Sequence, residues 1–342
     1  MNSKMKKLFL ISLTFLSVQC ASQPKEYMSD HFDGKKFFNP GREHRKSFFD
    51  FLTWQFTKKS KEWPDWVDDV KQVVPPPMAE EGLIRVTFIN HATVLLQYKD
   101  FAILTDPHFF ERTSPVSFAG PKRVRLPGVR IEDLPKIDLV LISHNHYDHL
   151  DISSVKALEK KFSPQFIVPL GDKKVLESEN VKKVLEMDWG NSFSLGPVKV
   201  NFESSLHWSG RGLGDRNESL WGSYLIQIEK KNIYFAGDTG YADHFLKILN
   251  KYGSVDFAMF PIGAYEPRWF MKESHMNPEE AVQAHLDLKS QQSIGIHFGT
   301  WKLTDESIDD PIVSLRESLI LRKISDKNFQ APQNGQVFEI RL

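Results

Sequence analysis

Ser143-His144-Asn145-His146-Tyr147-Asp148-His149-Leu150 places four metal-competent side chains, three imidazoles and one carboxylate, within six consecutive positions. The apolar run Ile137 to Ser143 before it reads as a buried strand, and Ser153 to Phe162 after it reads as a helix. The segment is therefore a loop at the end of a sheet. Alternate residues of a loop can turn the same way, so His144 and His146 can grip one ion while Asp148 and His149 serve its neighbour. Imidazole and carboxylate suit zinc, and iron or manganese also fit. A histidine-rich surface loop has the same local composition, so this stretch needs support from elsewhere in the chain.

That support comes from three more candidates, each at the end of a strand-like run. His207 closes Val198 to Leu206, Asp238 closes Ile233 to Gly237, and His297 closes Ile294 to Ile296. Taken singly, each reads as a core histidine or an acid in a tight turn; together they converge on one end of a sheet system. The surrounding pattern is strand-rich from Leu83, with Leu83 to Asn90, Thr93 to Tyr98 and Phe101 to Thr105 alternating before Asp106-Pro107 stops the run. A second half repeats the plan. Trp221 to Ile228 and Asn232 to Ala236 read as a hairpin, Tyr241 to Leu249, Pro278 to Leu288 and Pro311 to Lys323 as helices, and Gly335 to Ile340 as a last strand. Asn277, Pro278 and Glu280 form an N-terminal capping signature. Sheets followed by helices, twice over, predict an α/β fold, a four-layer αββα sandwich over residues 78–342.

The order HxHxDH, a distant His, a distant Asp and a final His resembles the metallo-β-lactamase superfamily. That resemblance implies that His144, His146 and His207 bind a first metal ion, that Asp148, His149 and His297 bind a second, and that Asp238 bridges both. It also implies that Asp106 orients ligand histidines from behind. Two such ions, zinc in the first instance, supply a hydroxide at neutral pH, so no Ser, Cys or Lys nucleophile is required. Within the superfamily, Phe37-Phe38-Asn39-Pro40, Asn90-His91-Ala92-Thr93-Val94, Thr105-Asp106-Pro107 and His207-Trp208-Ser209 are similar to the N-acylphosphatidylethanolamine-hydrolysing phospholipase D family. So are Pro261 to Met271 (PIGAYEPRWFM), His275-Met276-Asn277-Pro278-Glu279-Glu280-Ala281 and His297-Phe298-Gly299-Thr300. The resemblance spans about Asp33 to Ile320.

It implies cleavage of an N-acylated phospholipid to phosphatidic acid and an N-acylethanolamine. Asp148 and His275 are then the expected catalytic residues, with His275 positioning the phosphate or protonating the leaving oxygen. Tyr147 is expected to line the pocket. Tyr265, Arg268 and Trp269 are either rim residues or packing, with Arg268 paired to a substrate anion or to an acid of the chain. His91 receives no role from its spacing. A homodimer is also implied. Two rival readings are a lactonase or soluble phosphodiesterase of the same superfamily, and a metal-free surface lipoprotein that uses the fold as a scaffold. The Pro261 to Met271 run speaks against the first, and the full ligand set against the second.

The N-terminus reads separately. Lys4, Lys6 and Lys7 precede the short apolar run Leu8 to Leu16, too short to span a bilayer comfortably. Leu16-Ser17-Val18-Gln19-Cys20 resembles a bacterial lipoprotein signal, with Gln19 departing from the small residue usual there. Residues 1–20 are thus expected to export the chain as a lipoprotein anchored to a membrane through Cys20. Cys20 is the only cysteine, which excludes an intramolecular disulfide and a thiolate ligand in the folded domain. Residues 21–77 read as a linker followed by an aromatic and basic segment. There Phe48, Phe49, Leu52 and Phe56 fall near one face of a helix with Trp54 nearby, and that helix either packs on the domain or meets a membrane surface. Lysine plus arginine and aspartate plus glutamate each number 44, and this balance argues against a general nucleic-acid binder.

Overall fold

The computed structural model of the chain describes residues 27, 29–42, 48–212 and 214–342; the signal-like segment and Cys20 lie outside them. Helix α1 (Phe48–Thr57) leads into strands β1 (Leu83–Asn90), β2 (Thr93–Tyr98), β3 (Phe101–Thr105), β4 (Leu139–Leu141), β5 (Gln165–Pro169) and β6 (Val184–Met187). Helices α2 (Ile152–Phe162) and α3 (Lys173–Ser178) fall between the later strands. The second half contributes β7 (Ser192–Leu195), β8 (Val198–Glu203), β9 (Ser223–Ile228), β10 (Lys231–Phe235), β11 (Phe257–Pro261), β12 (Gln292–Ile296) and β13 (Phe329–Gln330). Its helices are α4 (His244–Tyr252), α5 (Arg268–Met271), α6 (Pro278–Asp287) and α7 (Asp310–Arg322). The last strand, β14 (Val337–Arg341), returns to the first half and pairs antiparallel with β1, Leu83 opposite Arg341.

Two mixed seven-stranded sheets result, ordered β14-β1-β2-β3-β4-β5-β6 and β13-β12-β11-β10-β9-β8-β7. Both switch from antiparallel to parallel pairing, the first after β3 and the second after β10. The strand period of two sorts the first sheet's apolar side chains onto two faces. Ile103, Leu139, Leu141 and Ile167 join the large core shared with the second sheet, where Phe202, Tyr224, Ile226 and Phe257 are buried. Ala102, Leu104, Val140 and Phe166 face the other way, onto Val155 and Leu158 of α2 and Leu176 of α3. On the far side of the second sheet, Phe245, Ala281 and Leu315 bring α4, α6 and α7 into the large core. This is the αββα sandwich.

Local signals mostly hold. The capping box forms at α6, with the Asn277 side chain accepting from Glu280 N and the Glu280 carboxylate accepting from Asn277 N. Helix α4 starts later than its periodicity indicates, because Tyr241 stays in the preceding loop and its hydroxyl donates to Asp287 at 2.5 Å. Helix α1 packs on the domain, one of the two expectations, but not through Phe49 or Phe56. Phe49 and Phe56 are 76% and 87% exposed, and the helix packs through Trp54 instead. Trp54 stacks on Phe270 at 5.2 Å between ring centroids, and its indole N–H donates to Asp305. Indole supplies both a flat apolar ring and a donor that needs a partner when buried, whereas phenylalanine supplies only the ring. No helix among the described residues is long and apolar enough to cross a membrane.

Candidate metal centre

Strand direction explains why scattered residues meet. The C-terminal ends of β1, β3 and β4 lie at one end of the first sheet, together with the N-terminal end of β2. Those ends carry His91, Asp106 and the His144 loop. In the second sheet the C-terminal ends of β8, β10 and β12 lead to His207, Asp238 and His297. The loops of the two sheets then pack tightly. Gly237, at φ +57°, lies against Ser143 so closely that a Cβ there would stand 2.6 Å from the Ser143 Cβ. A Cβ on Gly263 would meet the His297 carbonyl oxygen at 2.1 Å. Both glycines are required by that approach.

One corner of the cluster is all imidazole. His144 Nε2 lies 2.8 Å and His207 Nε2 3.3 Å from His146 Nδ1. Nitrogens that share a tetrahedral zinc ion stand about 3.3 Å apart, so this spacing fits a common ion. Their far sides are held by hydrogen bonds. His144 Nδ1 donates to Ser143 Oγ at 2.9 Å, and His207 Nδ1 to the Ser274 carbonyl at 2.9 Å. The second corner mixes charge. His297 Nε2 lies 3.1 Å from both Asp148 Oδ2 and Asp238 Oδ2, and His149 Nε2 lies 3.4 Å and 3.3 Å from the same two oxygens. Asp238 Oδ2 also stands 4.0 Å from His144 Nε2 and 3.8 Å from His207 Nε2, between the two corners.

Asp106 sits behind the cluster, as its position after β3 predicts. Its carboxylate accepts from His149 Nδ1 at 2.7 Å, from Ser143 Oγ at 2.6 Å and from Ser143 N at 2.7 Å. One acid thus fixes His149 directly and His144 through Ser143, leaving both Nε2 atoms facing inward. His275 approaches from the other side, its Nδ1 3.7 Å from Asp238 Oδ2 and its ring edge-on to His207.

Burial and neighbouring charge set the protonation of the group. Desolvation, aided by the surrounding imidazoles, lowers His144 and His207 well below the usual range and takes His146 to about 3, so all three are neutral. Burial also pushes His275 well down. Burial opposes charge on His149 and His297 as well, but Asp238 and Asp148 outweigh it. His149 is raised well above its ordinary value and His297 to about 9. The two carboxylates are themselves held well below the ordinary range against burial, Asp148 chiefly by His149 and Asp238 by His297 and His149. His149 Nε2 and Asp238 Oδ1 are buried with no hydrogen-bond partner among the described residues. Five inward imidazoles, two carboxylates and orphaned ligand atoms are a donor set suited to divalent cations.

The family model for the beta-lactamase superfamily domain matches residues 102–298. The N-acyl-phosphatidylethanolamine-hydrolyzing phospholipase D 1 of Caenorhabditis elegans is 40% identical over 275 residues, covering 76% of this chain and 77% of that protein. The chain belongs to the N-acyl-phosphatidylethanolamine-hydrolysing phospholipase D family. The mitochondrial enzyme of that name from Saccharomyces cerevisiae is 37% identical over 235 residues, covering 66% of this chain and 49% of its relative. Among solved structures, the isothiocyanate hydrolase from Delia radicum gut bacteria has the same fold, with a TM-score of 0.59 at 23% identity, covering 75% of this chain and all of that one. As a family member the chain is a metal-dependent hydrolase.

The family segment Pro261 to Met271 does less at the cluster than its sequence indicates. Arg268 pairs with Glu280 at 2.7 Å and donates to the His275 carbonyl at 2.9 Å, so it braces the His275 loop. Tyr265 is buried and hydrogen-bonds Ser314 on α7, away from the cluster. Trp269 is 55% exposed. Tyr147 is half-buried beside the cluster, its hydroxyl donating to the Arg211 carbonyl and its ring lying under the Arg211 guanidinium. His91, which sequence spacing left without a role, reaches Asp148 Oδ2 at 3.1 Å. Its one sequence signal is that His91-Ala92 interrupts the alternation between β1 and β2, which puts the residue in a turn at the metal end of the sheet.

Proposed function

We propose that this chain is a dinuclear-metal phosphodiesterase that cleaves N-acylated phosphatidylethanolamine to phosphatidic acid and an N-acylethanolamine. The observation that carries the dinuclear reading is the position of Asp238 Oδ2, within 4.0 Å of histidines from both corners. His144, His146 and His207 would hold one ion, Asp148, His149 and His297 the other, and Asp238 both. Zinc suits this donor set best, with iron or manganese as alternatives. When bound, such a pair supplies an activated water at neutral pH and offsets charge on the phosphodiester. The substrate reading is supported by the activity for which the relatives at 40% and 37% identity are named.

In this reading Asp106 and Ser143 keep His149 and His144 aimed inward. His275, neutral through burial, presents an N–H to a phosphate oxygen beside Asp238. Arg268 and Glu280 hold the loop that carries it. A lipid substrate must be drawn from a membrane, and the exposed aromatics support contact with one. Phe49, Phe51 and Phe56 on α1 and Trp269 on α5 are exposed, and Trp54 and Phe270 join the two helices. Lys58, Lys59 and Lys61 follow α1, the mixture of rings and bases that favours an anionic interface. A lipid on Cys20 would tether the exported chain to that membrane.

The test is product identification by mass spectrometry after incubating purified protein with N-acylated phospholipid vesicles. Phosphatidic acid and N-acylethanolamine are expected together, in equal amounts. Turnover of a sugar lactone with none of the lipid overturns this reading.

A further inference from the structure

His91 touches the cluster through both its side chain and its backbone. Its imidazole is buried, and Nε2 lies 3.1 Å from Asp148 Oδ2. An ionised carboxylate only accepts, so His91 Nε2–H is the donor. Its carbonyl oxygen accepts from His297 N at 2.8 Å. His91 itself sits at φ +48° and His297 at φ +60°, so two uncommon backbone conformations are joined by that one hydrogen bond. The ring packs against His297 at 4.1 Å between centroids, and Trp301 closes over it edge-on at 4.9 Å. Both residues that His91 holds belong to the second corner. The hydrogen bonds that fix the first corner come from Ser143 and Ser274 instead.

A ligand and a positioning residue differ in where they reach. His149 and His297 each contact Asp148 and Asp238. His91 Nε2 reaches the same Asp148 oxygen, Oδ2, but among the described residues it is paired with that one carboxylate and not with Asp238. We infer that His91 is the positioning residue of the second metal corner, aiming Asp148 with its imidazole and His297 with its carbonyl. This rests on the dinuclear reading above. Removing such an outer partner weakens metal affinity by about 10–100-fold.

The test is a cobalt(II) titration of metal-free full-length protein followed by its visible absorption, with zinc affinities from chelator competition. Wild type is expected to bind in two steps. His91→Ala is expected to weaken one step about 10–100-fold and to leave the other within about twofold. His91→Gln, which keeps an N–H near the Nε2 position, is expected to recover most of the loss. The unaffected step reports that the fold is intact, and His91→Gln serves alone if the alanine variant does not fold. Two unchanged steps, or equal losses at both, overturn the inference. So does a cobalt band in His91→Gln altered as for a lost nitrogen ligand, which would make His91 a ligand. Wild-type protein that binds a single ion overturns the dinuclear reading itself, and this inference with it.

Discussion

His144, His146 and His207 meet with their ring nitrogens 2.8–3.3 Å apart and are all neutral. A few ångströms away, His149 and His297 meet carboxylate oxygens at 3.1–3.4 Å and are raised into the protonated range at neutral pH. The two corners are built from nearly the same residue types and share Asp238, yet their electrostatics are opposite. At the first corner a cation meets lone pairs already free of protons. At the second it must displace protons that balance two carboxylates. Metal uptake should therefore be proton-linked at one corner and nearly indifferent to pH at the other.

The largest effects are expected where the corners join or where the second is broken outright. Asp148→Asn should lower hydrolysis of N-acylated phospholipid by at least about a thousandfold while circular dichroism stays native. Asp238→Ala should reduce uptake at both corners, whereas His146→Ala should empty only the first; metal analysis after dialysis distinguishes them. Next comes pH. Because His297 is raised to about 9 and His149 also lies well above its ordinary value, affinity at the second corner should climb as pH rises toward about 9. The first should stay flat, since its histidines titrate far below neutrality; chelator competition at several pH values reads both. Asp106→Asn should weaken metal binding about 10–100-fold by loosening His149 and, through Ser143, His144. The smallest effect belongs to the surface. Phe56→Ser should leave stability within about 0.5 kcal/mol while reducing co-sedimentation with anionic vesicles a few-fold.

The same contrast shows what sequence can carry. The His144 loop, His207, Asp238 and His297 were legible because each closes a strand, and strands that run the same way bring their ends to one end of the two mixed sheets. The sandwich was legible for a related reason, since strand and helix periods repeat in both halves. His91 was not, because a lone histidine in a hairpin turn has no spacing partner; only the pairing of β1 with β2, of β2 with β3 and of β3 with β4 brings that turn beside Asp148. The docking face of α1 was hidden by excess, four apolar residues competing for one face. It was settled by a partner 251 positions away, Asp305, which accepts from the Trp54 indole N–H on one carboxylate oxygen and from the Ser60 hydroxyl on the other. Tyr265 and Arg268 illustrate a third limit. A family-like segment marks a neighbourhood without saying which side chains face the chemistry.

The most direct test of the two-corner account is anomalous scattering from zinc-loaded crystals. Two peaks are predicted, one within ligand distance of His144, His146 and His207, the other of Asp148, His149 and His297, with Asp238 touching both. A single peak, or zinc bound away from Asp238, would contradict it.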